Sequence, residues 1–219
     1  MKYIIYTGYV KDVTPSNYAG RNAQDFFNIW YSNTRKYTNA PIHIFGPHIP
    51  VLDNTENIKS IAEYQNLGHV GQYINGTKQG IWCGWTAGVV YGMVDAYIRN
   101  VDFIYKEQDC LAFGNYIDKM YSEIEDGGII IGNYSLMPCA QSLFLVKRNY
   151  IPEVIKFLAN DEDRHVLPED KFNKIPNQKR LSFGYDRDRP FYVEDEIFYI
   201  QQISMADMDT LVNTKLITL

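Results

Sequence analysis

Between Lys78 and Asp95 the chain carries no charge for 16 residues, and within that stretch glycine recurs at Gly80, Gly84, Gly88 and Gly92, with Ala96 continuing the row. A four-residue repeat falls on one side of an α-helix. Each interior glycine costs about 1 kcal/mol relative to alanine, so a whole face of them needs a reason. Either a ligand or another backbone comes close to it, or the helix packs tightly on a sheet. A membrane span takes about 20 predominantly apolar residues, and this stretch is shorter and includes Gln79. The pattern predicts a buried helix over residues 79–98.

The segments around it alternate between strand and helix. Residues 2–9 (KYIIYTGY) read as a first strand ending at a glycine. Ala23, Phe26, Phe27, Trp30, Tyr31 and Tyr37 form a helical stripe, with Asn22 as N-cap and Asp25 at the third helical position. Pro41 leads into a strand over 42–45, closed by Gly46-Pro47. A β-α-β start favours a parallel sheet with helices on its faces. Further strands are predicted over 58–64, 101–106, 129–131 and 142–147, and helices over 115–125, 150–159 and from Pro168. Residues 179–190 read as irregular and basic, and 193–204 and 206–212 as helical. No repeat or linker interrupts the pattern. The expectation is one α/β domain over 1–219.

Composition narrows the functional classes. With 46% apolar residues the chain builds a real core. Lys and Arg total 21 against 26 Asp and Glu, a net charge of −5, which argues against a nucleic-acid partner. The 18 tyrosines suit half-wet concave surfaces such as sugar sites, or else a tyrosine-rich core. Cys83, Cys110 and Cys139 are odd in number and too far apart for a metal knuckle, which points to free thiols in a reducing compartment. Asp12 and Pro15 follow the first apolar run with no small-residue cleavage site, so a cytoplasmic location without a transmembrane segment is expected.

The chemistry concentrates where the apolar run VDFIYK meets Glu107-Gln108-Asp109. In open α/β sheets ligands bind beyond the carboxyl ends of strands. Two carboxylates there suit Mn²⁺ or Mg²⁺, which would neutralise a diphosphate; a solvated loop is the plainer reading.

The order of these parts resembles a known family. A Gly-rich loop with Asn66-Leu67-Gly68, then Gly76-Thr77-Lys78 before a long helix, then an apolar strand ending in E-Q-D, looks like a GT-A type glycosyltransferase over roughly residues 1–172. A narrower similarity is to the glycosyltransferase domains that large algal viruses use on capsid glycans, which would put the protein in the host cytoplasm. In the family a D-x-D motif holds the cation and the sugar-nucleotide diphosphate, so the resemblance implies a metal role for Asp109 and Glu107, with Gln108 beside the donor. Glu107 departs from the pattern by standing in for the first Asp. An x-E-D motif at a helix start supplies the base of inverting members. By resemblance Asp170 is that base and Glu169 orients the acceptor, although Pro followed by acidic residues is also an ordinary helix start. The resemblance also places Thr7, Gly8 and Tyr9 at the nucleotide base, and implies a nucleotide-binding half at about 1–114 and an acceptor half at about 115–219.

Other candidates are weaker. Lys78 at a helix N-terminus suits a phosphate, and Gly84 would face the nucleotide. His165 is a possible extra metal ligand. Arg187 and Arg189 either clamp a diphosphate or pair with Asp186 and Asp188. Trp82 and Trp85 read as packing residues. The expected activity is metal-dependent, inverting transfer of a hexose from a UDP-sugar to a hydroxyl of a glycan or glycoprotein. The alternatives are a sugar-phosphate nucleotidyltransferase, disfavoured because Thr7-Gly8-Tyr9-Val10-Lys11 lacks a G-x-G-x-R loop, and a non-catalytic carbohydrate-binding or assembly module.

Overall fold

The structure, a computed structural model, describes residues 2–11, 18–46, 48–51, 58–62, 72–74, 77–79, 84–124, 128–133, 139–160, 168–184 and 196–218. Its centre is a seven-stranded sheet built from β1 (Tyr3–Gly8), β2 (Ile42–Phe45), β3 (Ile58–Ala62), β6 (Asp102–Lys106), β8 (Ile129–Asn133), β9 (Ala140–Val146) and β10 (Gln178–Gly184). The order is β10-β8-β9-β6-β1-β2-β3. All neighbours run parallel except at β9, which is antiparallel to both β6 and β8. Two small antiparallel ribbons accompany it. One is β4 (Gln72–Ile74) with β5 (Thr77–Gln79), the other β7 (Cys110–Phe113) with β11 (Phe198–Gln201).

Helices cover both faces. On one face lies α1 (Ala23–Tyr37), started by Asn22, whose side chain accepts the Asp25 backbone N–H while its amide donates to the Asp25 carboxylate. It buries Phe26, Phe27 and Trp30 with Ile5 and Ile104. On the other lies α2 (Gly84–Ile98), packed with Ile4, Tyr6, Phe103 and Tyr105. The alternation of Ile4, Ile5 and Tyr6 between faces follows from the two-residue period of a strand. Among the described residues the other α-helices are α3 (Tyr116–Glu123), α4 (Ile151–Leu158), α5 (Pro168–Asn173) and α6 (Met205–Asn213).

The glycine row has a concrete cause at one position. A Cβ on Gly92 would lie 2.8 Å from Phe103 Cε2, 3.1 Å from Tyr6 Cδ1 and 3.2 Å from Phe45 Cε1, so its absence lets α2 sit directly on three rings. Gly88 is also buried. Gly80 lies outside the described residues.

Three expected elements are corrected. The helix predicted over 79–98 starts at Gly84, because Thr77–Gln79 pairs with Gln72–Ile74 as a ribbon. The irregular reading of 179–190 gives way to β10 up to Gly184, which pairs with β8. There Leu181 and Phe183 alternate inward, while Lys179 and Arg180 suit a sheet edge. The helical reading of 193–204 gives way to β11, whose partner β7 is supplied by a distant segment. No helix among the described residues is long and apolar enough to cross a membrane.

Candidate active site

The acidic segment follows the carboxyl end of β6, beside the end of β1. The backbone of Glu107 is held from three sides. Its N–H donates to Ser142 O at 2.8 Å, and its carbonyl accepts from Trp30 Nε1 at 2.8 Å and from the Cys110 N–H at 3.0 Å. Burial, then the negative charges of Asp109 and Glu169, hold the Glu107 carboxyl well above the usual range. Burial pushes the Asp109 carboxyl up to about 6, against backbone N–H bonds from Asp109 itself and Gln202. Gln202 has a φ of 50°, a left-handed conformation uncommon outside glycine. Asp109 Oδ1 is buried with no hydrogen-bond partner.

Gln108 turns toward β1. Its Oε1 accepts the Val10 N–H at 2.7 Å and its Nε2 donates to the Tyr18 hydroxyl. Burial, with the charge of Asp109 next, raises the Tyr18 phenol. Thr7 is buried and bonds the Gly8 carbonyl at 3.2 Å. The Tyr9 ring is only 3% exposed and meets Phe27 edge-on at 5.3 Å, so it packs on α1. Gly46, at the end of β2 with a φ of 145°, carries no Cβ because one would come 2.4 Å from Tyr9 O.

On the other side stands α5. Glu169 is half-buried, accepts from Gln141 Nε2 at 3.1 Å, and its charge reaches Glu107. Asp170 is exposed. Trp85, in the first turn of α2, packs edge-on against Tyr105 at 5.6 Å and Phe172 at 5.8 Å. Lys78 lies in β5 rather than at a helix N-terminus, and Gly84 is the first residue of α2. His165, Arg187, Arg189 and Trp82 lie outside the described residues.

Glu107 thus feels the charges of both Asp109 and Glu169, with Tyr18, Gln141 and Gln202 as neighbours that motif reading does not single out. Only Gln141 carries a readable signal, as a polar residue at the start of an apolar strand. The three carboxylates create an excess of negative charge, and the unpartnered Asp109 Oδ1 leaves a hard oxygen unsatisfied. Both features fit a divalent cation. Among the described residues no three His, Cys, Asp or Glu side chains converge closely enough to enclose one by themselves. A cation there would therefore take ligands from a phosphate-bearing substrate and water, as Mg²⁺ commonly does.

The architecture matches solved structures. An active-site mutant of LgtC superposes with a TM-score of 0.56 at 9% identity, over 100% of this chain and 97% of that one. The chain has the GT-A fold. A Bacillus anthracis protein assigned as a glucose-1-phosphate thymidylyltransferase, crystallised with sucrose, gives a TM-score of 0.52 at 10% identity over 100% and 96% of the two chains. The galactosyltransferase LgtC with donor and acceptor sugar analogues gives 0.48 at 9% identity, over 82% and 73%. No protein-family profile and no curated protein sequence matches the chain. At 9–10% identity the likeness is one of fold.

Proposed function

We propose that this GT-A protein is a metal-dependent glycosyltransferase that moves a hexose from a UDP-sugar to a hydroxyl of a glycan or glycoprotein with inversion. The observation that carries the reading is the placement of Glu107 and Asp109 at the carboxyl end of β6, facing Glu169 with no cationic partner among the described residues. Carboxylates that feel one another's charge without a cation beside them favour binding one. Asp109, through Oδ1, and Glu107 would hold Mn²⁺ or Mg²⁺. The cation, when bound, supplies charge stabilisation for the departing diphosphate.

The protein's own groups account for the rest. Glu169 is the base in this reading, because it is the member of the Glu169-Asp170 pair that faces the acidic segment. It takes the proton of the acceptor hydroxyl as the acceptor oxygen bonds the anomeric carbon. The bond from that carbon to the diphosphate oxygen breaks, and the diphosphate leaves with the electron pair. Gln141 fixes the direction of the Glu169 carboxylate. Gln108 ties the acidic segment to the end of β1, where the resemblance seats the nucleotide base.

The test is calorimetric titration of UDP with and without Mn²⁺, followed by product analysis with UDP-hexoses. Mn²⁺-dependent UDP binding and an inverted product are expected. The likeness to the thymidylyltransferase assignment favours one rival, transfer of a nucleotidyl group to a sugar 1-phosphate. Pyrophosphate release from a nucleoside triphosphate and a sugar 1-phosphate, without turnover of UDP-sugars, would establish that rival instead.

A further inference from the structure

The apolar run ahead of the acidic segment ends in a lysine, and Lys106 is fully buried. Its ammonium group makes no ion pair among the described residues. It donates instead to Asn33 Oδ1 at 2.6 Å and Thr34 Oγ1 at 2.8 Å, beneath the faces of Trp30 (4.9 Å) and Tyr116 (5.9 Å). Burying a cation without a counter-ion is costly. A methionine of similar length would fill the same aromatic shell without that cost, so Lys106 is a poor choice for stability alone.

Its partners point to another role. Asn33 Oδ1 also accepts the backbone N–H of Ala112 at 3.1 Å. One oxygen on α1 therefore joins the residue before the acidic segment to a residue just after it. One turn earlier on the same helix, Trp30 Nε1 bonds the carbonyl of Glu107 itself. The Asn33 amide nitrogen, by contrast, is buried with no partner, so the acceptor end of this side chain is the end in use.

We propose that Lys106 and Asn33 form a clamp that holds the backbone of residues 107–110 in one geometry against the mutual repulsion of Glu107, Asp109 and Glu169. They are positioning residues, acting through the backbone of the acidic segment. The effect on cation and donor binding rests on the glycosyltransferase reading; the clamp itself does not.

Hydrogen exchange separates the two. The reporters are the Cys110 amide and the Trp30 indole N–H, both bonded to the Glu107 carbonyl and neither bonded to a substituted residue. In Lys106→Met the melting temperature should stay level or rise, yet both reporters should exchange about tenfold faster while the Phe103 and Tyr105 amides keep their protection. Asn33→Leu should speed exchange at both reporters likewise, with a lower melting temperature because the Lys106 ammonium and the Ala112 N–H lose their acceptor. Asn33→Asp keeps the acceptor, loses only the unpartnered nitrogen and gives Lys106 a counter-ion, so it should retain slow exchange. A purely structural lysine would not produce that contrast. Should Lys106→Met fail to fold, the Asn33→Leu and Asn33→Asp pair carries the same comparison.

Mn²⁺-dependent UDP binding forms the second arm. The half-saturating Mn²⁺ concentration should rise about tenfold in Lys106→Met, as for other groups that orient metal ligands, and stay near that of the unaltered protein in Asn33→Asp. Unchanged reporter exchange in both Lys106→Met and Asn33→Leu overturns the clamp, whatever the ligand. Absence of UDP and Mn²⁺ binding by the unaltered protein overturns the glycosyltransferase reading and leaves the exchange result to decide the clamp. Faster exchange with an unchanged Mn²⁺ requirement overturns the link from clamp to cation.

Discussion

Gln141 donates its amide to Oε1 of Glu169 at 3.1 Å, which ties the first turn of α5 to the start of β9. The bond commits the carboxylate to one direction, and in that direction its charge is felt by Glu107. The neighbouring residue Asp170 is exposed. Adjacent carboxylates on one short helix therefore have different surroundings.

That difference predicts unequal roles. Glu169→Gln should lower transfer by about 10²–10⁴-fold, the usual contribution of a general base, while UDP affinity changes little. Asp170→Asn should cost less than about tenfold. Single-turnover rates with both variants decide it, and the opposite ranking would return the base to Asp170.

Asp109→Asn should abolish Mn²⁺-dependent UDP binding and make the protein more stable at neutral pH. Burial lifts the Asp109 pKa from 3.8 to about 6. The folded state holds that proton more tightly than the unfolded chain, so the associated stability is full below pH 3.8 and lost as pH rises through about 6. The variant should therefore melt higher at pH 7.5 by several degrees, for a difference of at most about 3 kcal/mol. Near pH 4 the two proteins should melt close together. Melting curves at the two pH values check the sign.

Gly92→Ala should destabilise despite the gain of about 1 kcal/mol in helix propensity. The new Cβ meets the Phe103, Tyr6 and Phe45 rings at 2.8–3.2 Å, and all three are at most 1% exposed. Overpacking of this kind costs about 1–3 kcal/mol, which urea denaturation resolves. A variant as stable as the parent would mean that α2 can shift off the sheet.

Asp95→Ala should cost about 1–3 kcal/mol, because it removes the acceptor of the buried Tyr6 hydroxyl. The same carboxylate meets His43 Nδ1 at 2.7 Å and Arg99 Nε at 2.8 Å. Burial raises the Asp95 pKa, but bonds from Arg99, His43 and Tyr6 outweigh it and leave the pKa lowered. The stabilisation is present above the unfolded-chain value of 3.8 and lost as pH falls below it. The gap between variant and parent in thermal melts should accordingly narrow near pH 3.

How much of this was legible in the residues depends on how far apart the interacting parts lie. Local patterns sufficed for β1, α1 and β2, because Asn22 caps its own helix three residues from Asp25 and the apolar stripe of α1 is periodic. They sufficed equally for the acidic segment, since an apolar strand running into Glu107-Gln108-Asp109 marks a strand's carboxyl end. Only the tertiary structure decided that β10 and β11 are strands, because each short segment gains its hydrogen bonds from a partner far along the chain. It alone set Glu169 toward the acidic segment through Gln141, 28 residues away, and Lys106 against Asn33, 73 residues away. Residue types and short spacings encode helices, caps and strand ends. The surroundings that turn a carboxylate into a base or a cation site arise only when the sheet order and packing bring distant segments together.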